Sequence, residues 1–68
     1  MNMSILTKRE KEVFELLINN YSTNEIARKL LISDKTVRNH ISNVIQKLGV
    51  KTRSCALIEL IRLDEIKI

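Results

Sequence analysis

Between Thr23 and Val50 the chain runs Thr23-Asn-Glu-Ile-Ala-Arg-Lys-Leu-Leu-Ile-Ser-Asp-Lys-Thr-Val-Arg-Asn-His-Ile-Ser-Asn-Val-Ile-Gln-Lys-Leu-Gly-Val50, which reads as a short helix, a tight turn and a longer helix. Apolar residues at Ile26, Ala27, Leu30, Ile32, Val37 and Ile41 recur at helical spacing on both sides of the turn, so the two helices must cross and share a core. That is the skeleton of a helix-turn-helix. On the second helix, Lys35, Arg38, Asn39, Ser42, Asn43, Gln46 and Lys47 are left projecting away from the core. Such a face can hydrogen-bond to base edges and phosphates in a major groove.

The rest of the chain reads as two more helices. Thr7 with Glu10 fits a capping box, and Val13, Phe14, Leu16, Leu17 and Ile18 form an apolar stripe that ends near Asn19 and Asn20, where Asn tolerates a left-handed cap. Ser22 with Glu25 repeats the capping pattern for the short helix, which runs through about Leu30. Ser33 caps the next, expected from Asp34 to about Leu48, with Gly49 ending it. Thr52 opens a last helix through Leu63, with Ala56, Leu57, Leu60 and Ile61 facing inward. Strand signals, repeats, linkers and prolines are absent from the sequence. The expectation is an all-α, four-helix single domain over residues 1–68, with the helix-turn-helix at about 23–48 and the last helix at about 53–63.

Sixty-eight residues lie near the lower limit for a chain that folds without staples, so oligomerisation is a plausible source of stability. One cysteine excludes an intrachain disulfide, and with one histidine beside it no metal cluster can form. A single glycine rules out a glycine-rich phosphate loop, and no cofactor or small-molecule ligand is expected. Apolar runs of a few residues span no membrane, and no signal peptide opens the chain, so a cytoplasmic, nucleoid-associated protein is expected. The net charge of +4 and pI near 9.6 favour a polyanionic partner. An enzyme is not expected. The histidine lies on the reading helix, and Ser33, Ser42 and Ser54 are better read as a cap, a groove-facing residue and a first-turn residue.

Leu6-Thr-Lys-Arg-Glu-Lys-Glu-Val13, Asn24-Glu-Ile-Ala27, Ile32-Ser33, Lys35-Thr-Val-Arg-Asn-His40 and Lys47-Leu-Gly-Val50 resemble, without gaps, the signature of the LuxR/GerE family of bacterial DNA-binding domains. The resemblance implies that the second and third helices form the helix-turn-helix, that the third reads the major groove and that the fourth makes a dimer contact. Within the family it points to the stand-alone regulators of late spore-coat genes. Larger members carry an N-terminal receiver or ligand-binding domain, for which this sequence has no room. The sequence departs from the pattern at three places. Asn20 and Asp64 stand at family glycine positions, and Leu31 occupies the turn where helix-turn-helix motifs often place glycine. Because a left-handed leucine is costly, Leu31 is expected in an ordinary backbone region.

The reading that follows is a sequence-specific transcription factor acting as a homodimer on promoter DNA with inverted half-sites, in contact with RNA polymerase. Lys35, Arg38, Asn39 and Ser42 are the expected base readers. Thr23, Thr36, Asn43, Lys47, Lys51 and Arg53 are the expected phosphate contacts, and Cys55, Ile58, Glu59 and Arg62 the expected dimer interface, with Glu59 and Arg62 able to pair across its rim. His40 and Cys55 have plainer readings, as a packed histidine and a small apolar contact. Arg9 with Glu12, Lys8 with Glu12 and Lys11 with Glu15 are at helix-pair spacings of small energetic value. The alternative is a protein-interaction module that docks a partner through its amphipathic C-terminal helix. Binding through phosphates would weaken steeply with salt, and apolar docking would not.

Overall fold

In the computed structural model, residues 5–67 are described; they form α1 (Lys8–Ile18), α2 (Thr23–Leu30), α3 (Asp34–Leu48) and α4 (Arg53–Arg62), with no strand among them. The expected helices are all present, and only the end of the last differs, by one residue. Each helix starts where a hydroxyl takes up an orphan amide. Thr7 Oγ1 accepts the Glu10 N–H at 3.1 Å while Glu10 Oε1 accepts the Thr7 N–H at 2.9 Å. Ser22 and Glu25 make the same reciprocal pair, at 3.1 and 2.8 Å. Ser33 caps Thr36 at 3.0 Å, and Thr52 caps Cys55 at 3.1 Å.

The helices also end alike. After α2, the Ile32 amide donates to the Ala27 carbonyl and the Leu31 amide to the Arg28 carbonyl, which is the Schellman arrangement. Tyr21 to Leu16 with Asn20 to Leu17, Val50 to Ile45 with Gly49 to Gln46, and Glu65 to Leu60 with Asp64 to Ile61 repeat it. This bond pair requires one residue in the left-handed region, and those residues are Asn20 (φ 70°), Leu31 (φ 58°), Gly49 (φ 68°) and Asp64 (φ 60°). The expectation that Leu31 keeps an ordinary conformation is therefore wrong. The two amide bonds impose the turn whatever residue occupies it, and Ile32, packed on the core, anchors the far side.

Helix α3 packs against each of the other three, and α1 also packs against α2. The core contains Val13 and Phe14 of α1, Ile26 and Ala27 of α2, Val37, Ile41 and Val44 of α3, and Ala56 and Leu60 of α4. Leu6, before α1, and Ile66, after α4, are buried with them although neither lies in a helix. Each large side chain so buried contributes roughly 1.5–3 kcal/mol. Glu10 is the one buried charged residue among those described, 3% exposed, and it lies on the inward stripe with Val13 and Phe14. Its Oε1 receives the Lys47 ammonium of α3 at 2.5 Å.

Leu31 is 91% exposed, so it bears left-handed strain with no burial to offset it. A left-handed L-residue costs about 1–2 kcal/mol, and glycine escapes that cost at the end of a helix. Leu31→Gly is expected to raise unfolding stability by about 1 kcal/mol in chemical denaturation. A loss of stability would contradict the left-handed turn.

Candidate nucleic-acid interface

At about 100° per residue, Arg38, Ser42, Lys35, Gln46 and Asn39 fall within a sector of roughly 100° on α3, opposite Val37, Ile41 and Val44. All five are exposed, as is Asn43 at the edge of the sector. None of their side chains has a hydrogen bond or ion pair with another described residue, so their donors and acceptors are available. Arg38 offers a planar fork suited to guanine and Asn39 a donor and acceptor suited to adenine. The base readers expected from sequence are thus brought onto one face of one helix.

The expected phosphate contacts are distributed around that face. Thr23 is the half-buried first residue of α2, where helix-terminal amides point outward. The Ser22 amide and the Glu25 amide are consumed in the capping box, which leaves the Thr23 and Asn24 amides as the donors for an anion. The Ser22 hydrogen bonds to Glu25 hold its carboxyl below the usual carboxylate range, so a negative charge sits at that same helix start. Thr36 is half-buried, its hydroxyl 2.9 Å from that of Ser33. Lys51 and Arg53 are exposed around the Gly49 turn and the start of α4.

Lys47 is engaged differently from the sequence expectation. Its ammonium lies on the Glu10 carboxylate and 3.4 Å from the Ile5 carbonyl, tying the end of α3 to the segment that opens α1. Burial raises the Glu10 pKa, but the Lys47 hydrogen bond, the Thr7 amide and the Lys47 charge together outweigh it and hold the carboxyl below its ordinary 4.5. Lys47 is a strut first, and a phosphate would have to compete with Glu10 for it. His40 is half-buried beside the core stripe, its side chain making no hydrogen bond to another described residue.

Cys55, Ile58, Glu59 and Arg62 share the face of α4 opposite Ala56 and Leu60. Cys55 and Arg62 are exposed, and Ile58 is 60% exposed. Glu59 and Arg62 pair along the helix, Nη1 to Oε1 at 3.0 Å, so within the single chain they do not wait for a partner. Of the expected ion pairs on α1, Arg9 with Glu12 forms, at 3.2 Å. A shallow groove of about 220 Å³ between α1 and α2, lined by Glu12, Glu15, Leu16, Asn19, Lys29 and Leu30, includes no reading residue. The described residues contain no cluster of three metal-ligating side chains and no helix long and apolar enough to cross a membrane.

The profile of the bacterial regulatory proteins of the luxR family matches residues 4–60. The chain belongs to that family. It is similar to the spore germination protein GerE of Bacillus subtilis (strain 168), 62% identical over 64 residues, which is 94% of this chain and 86% of that one. The solved structure of the transcription factor GerE superposes with a TM-score of 0.94 at 60% identity, covering 96% of this chain and 97% of the other. The transcriptional regulatory protein DegU of Brevibacillus brevis is 44% identical over 66 residues, 97% of this chain but 28% of its own length. The protein is a LuxR/GerE-type DNA-binding transcriptional regulator, and its relatives are regulators, not enzymes. The four-helix fold, with no strand among the described residues, agrees with that of the solved relative.

The pairing of Glu10 with Lys47 is not legible in the sequence. Thr7-x-x-Glu10 announces only a cap, and nothing local indicates a partner 37 positions away. With a depressed pKa, the contribution of Glu10 to stability is fully present above its ordinary 4.5 and is lost as the pH falls through the lower folded value. The stability gap between the parent chain and Glu10→Gln should be open at neutral pH and close in acid, measured by denaturation midpoints across that range. A gap independent of pH would contradict the ion pair.

Proposed function

We propose that the protein is a sequence-specific, homodimeric regulator of late sporulation genes, spore-coat genes among them, and that residues 1–68 act as one DNA-binding unit. The carrying observation is the bare polar face of α3, presented by a helix whose other side is packed against three neighbours. In this reading Lys35, Arg38, Asn39 and Ser42 contact base edges. Thr23, Thr36, Asn43, Lys51 and Arg53 position the duplex through phosphates, with Lys47 held back by Glu10. The protein works in the cytoplasm on the nucleoid, and RNA polymerase is its second macromolecular contact. The sporulation role rests on similarity to GerE.

The outer face of α4 supports the dimer in this reading. Ile58 and Cys55 leave apolar surface that a two-fold mate covers, and Arg62 can exchange its own Glu59 for that of the mate at little cost, because exposed pairs contribute only about 0–1 kcal/mol. Two reading helices would then stand about one DNA turn, roughly 34 Å, apart, on inverted half-sites centred about ten base pairs from each other. The patch is small, so the dimer is weak in solution and strengthened by linked half-sites. The same exposed face supports a second reading, an interaction module docking another protein through α4. Salt separates them, since six or so phosphate contacts cost on the order of a thousandfold in affinity between 50 and 200 mM salt.

Arg38→Ala should lower discrimination at one position of each half-site by about 1–3 kcal/mol, read from competition among single-base operator variants, with the fold intact. Equal weakening on every sequence would make Arg38 a phosphate contact. Ile58→Asp should abolish dimer sedimentation and the preference for two half-sites over one. Survival of both would move the interface away from α4.

A further inference from the structure

We propose that Glu10 is a positioning residue for DNA binding: by holding the Lys47 ammonium it keeps that charge off the phosphates and so sets how strongly the protein grips any DNA. The inference rests on the reading of α3 as the DNA-contacting helix.

Lys47 does not lie with the base readers. On an ideal helix it is turned about 130° from the middle of the reading sector, on the shoulder next to the core. From there its side chain runs inward to α1, where the ammonium meets Glu10 Oε1 and the Ile5 carbonyl. The same carboxylate oxygen accepts the Thr7 amide at 2.9 Å, so the capping box holds Glu10 independently of Lys47. Lys47 is the only cation paired with Glu10 among the described residues. If a phosphate drew Lys47 away, a carboxylate that is 3% exposed would be stranded without a counter-charge. Stranding a buried charge is penalised more heavily than a single phosphate contact in screened solvent is rewarded. A lysine that the sequence assigns to DNA is therefore subtracted from the electrostatic footprint, while its side chain is 35% exposed at the edge of the interface and able to reach phosphate once released.

The consequence is a grip that is set independently of base readout. Glutamine at position 10 keeps the cap, because a capping box accepts either Glu or Gln, and removes the charge that holds Lys47.

The test measures binding of the full chain to a duplex selected from a random pool and to a scrambled duplex of equal length, from 50 to 200 mM salt, for the parent, Lys47→Met, Glu10→Gln and the double variant, each checked for helicity by circular dichroism. Lys47→Met should leave the slope of log affinity against log salt unchanged. Glu10→Gln should steepen it by about 0.9 and raise affinity for both duplexes by up to about tenfold at 0.1 M salt, with their ratio unchanged. In the double variant the gain should vanish. A slope reduced by about one unit in Lys47→Met overturns the inference, as does an unchanged slope in Glu10→Gln or a gain that persists without Lys47. Lys47→Met strands Glu10 and is the variant most at risk of not folding; in that case the slopes of Glu10→Gln and of the neutral double variant against the parent decide. Failure of the parent to bind either duplex would instead overturn the DNA-contact reading beneath it.

Discussion

Burial of one stripe of α3 is the constraint on which the rest depends. Val37, Ile41 and Val44 are covered by α1, α2 and α4, so the helix cannot rotate about its axis without dragging an apolar side chain into water. That immobility gives the opposite face its meaning: Arg38, Asn39 and Ser42 point one way because three valine and isoleucine side chains point the other. A base-reading face on an isolated helix of fifteen residues would be neither stable nor fixed in register. Stability and the presentation of that polar face are thus two sides of one helix, and changes on the buried side should be expected to reach the exposed one.

The connections serve this arrangement. Four helix ends use the same pair of backbone bonds, and each turns the chain sharply with a single left-handed residue. Glycine fills one of those positions and asparagine and aspartate fill two, residues that tolerate the conformation. Leucine fills the fourth, at the centre of the helix-turn-helix. There the crossing of α2 over α3 fixes the geometry, and the local preference of the side chain is overruled.

Helix positions, caps and the polar face of α3 were legible in the sequence because each is written locally. Thr7-x-x-Glu10 and Ser22-x-x-Glu25 mark the starts, and the spacing of Val37, Ile41 and Val44 assigns the faces. What was not legible depends on distant parts of the chain meeting. The Lys47–Glu10 pair joins positions 37 apart, so Lys47 read as a free cation until the packing of α1 on α3 was visible. Leu6 and Ile66 lie outside any helical period, and only the closed core shows them buried. The Leu31 conformation is set by the backbone bonds on either side of it, which the preference of a single residue does not express. On α4, the pairing of Glu59 with Arg62 satisfies within one helix groups that the sequence left open for a neighbour.

The central claim, that the face of α3 opposite the core is where DNA binds, is tested most directly by following backbone amide resonances while a duplex from a random-pool selection is added. The largest shifts should fall on Lys35, Arg38, Asn39, Ser42 and the start of α2, with Lys51 and Arg53 following. Shifts concentrated instead on the outer face of α4 or along the α1–α2 groove around Leu16 and Leu30, with the α3 reading face unmoved, would contradict the account.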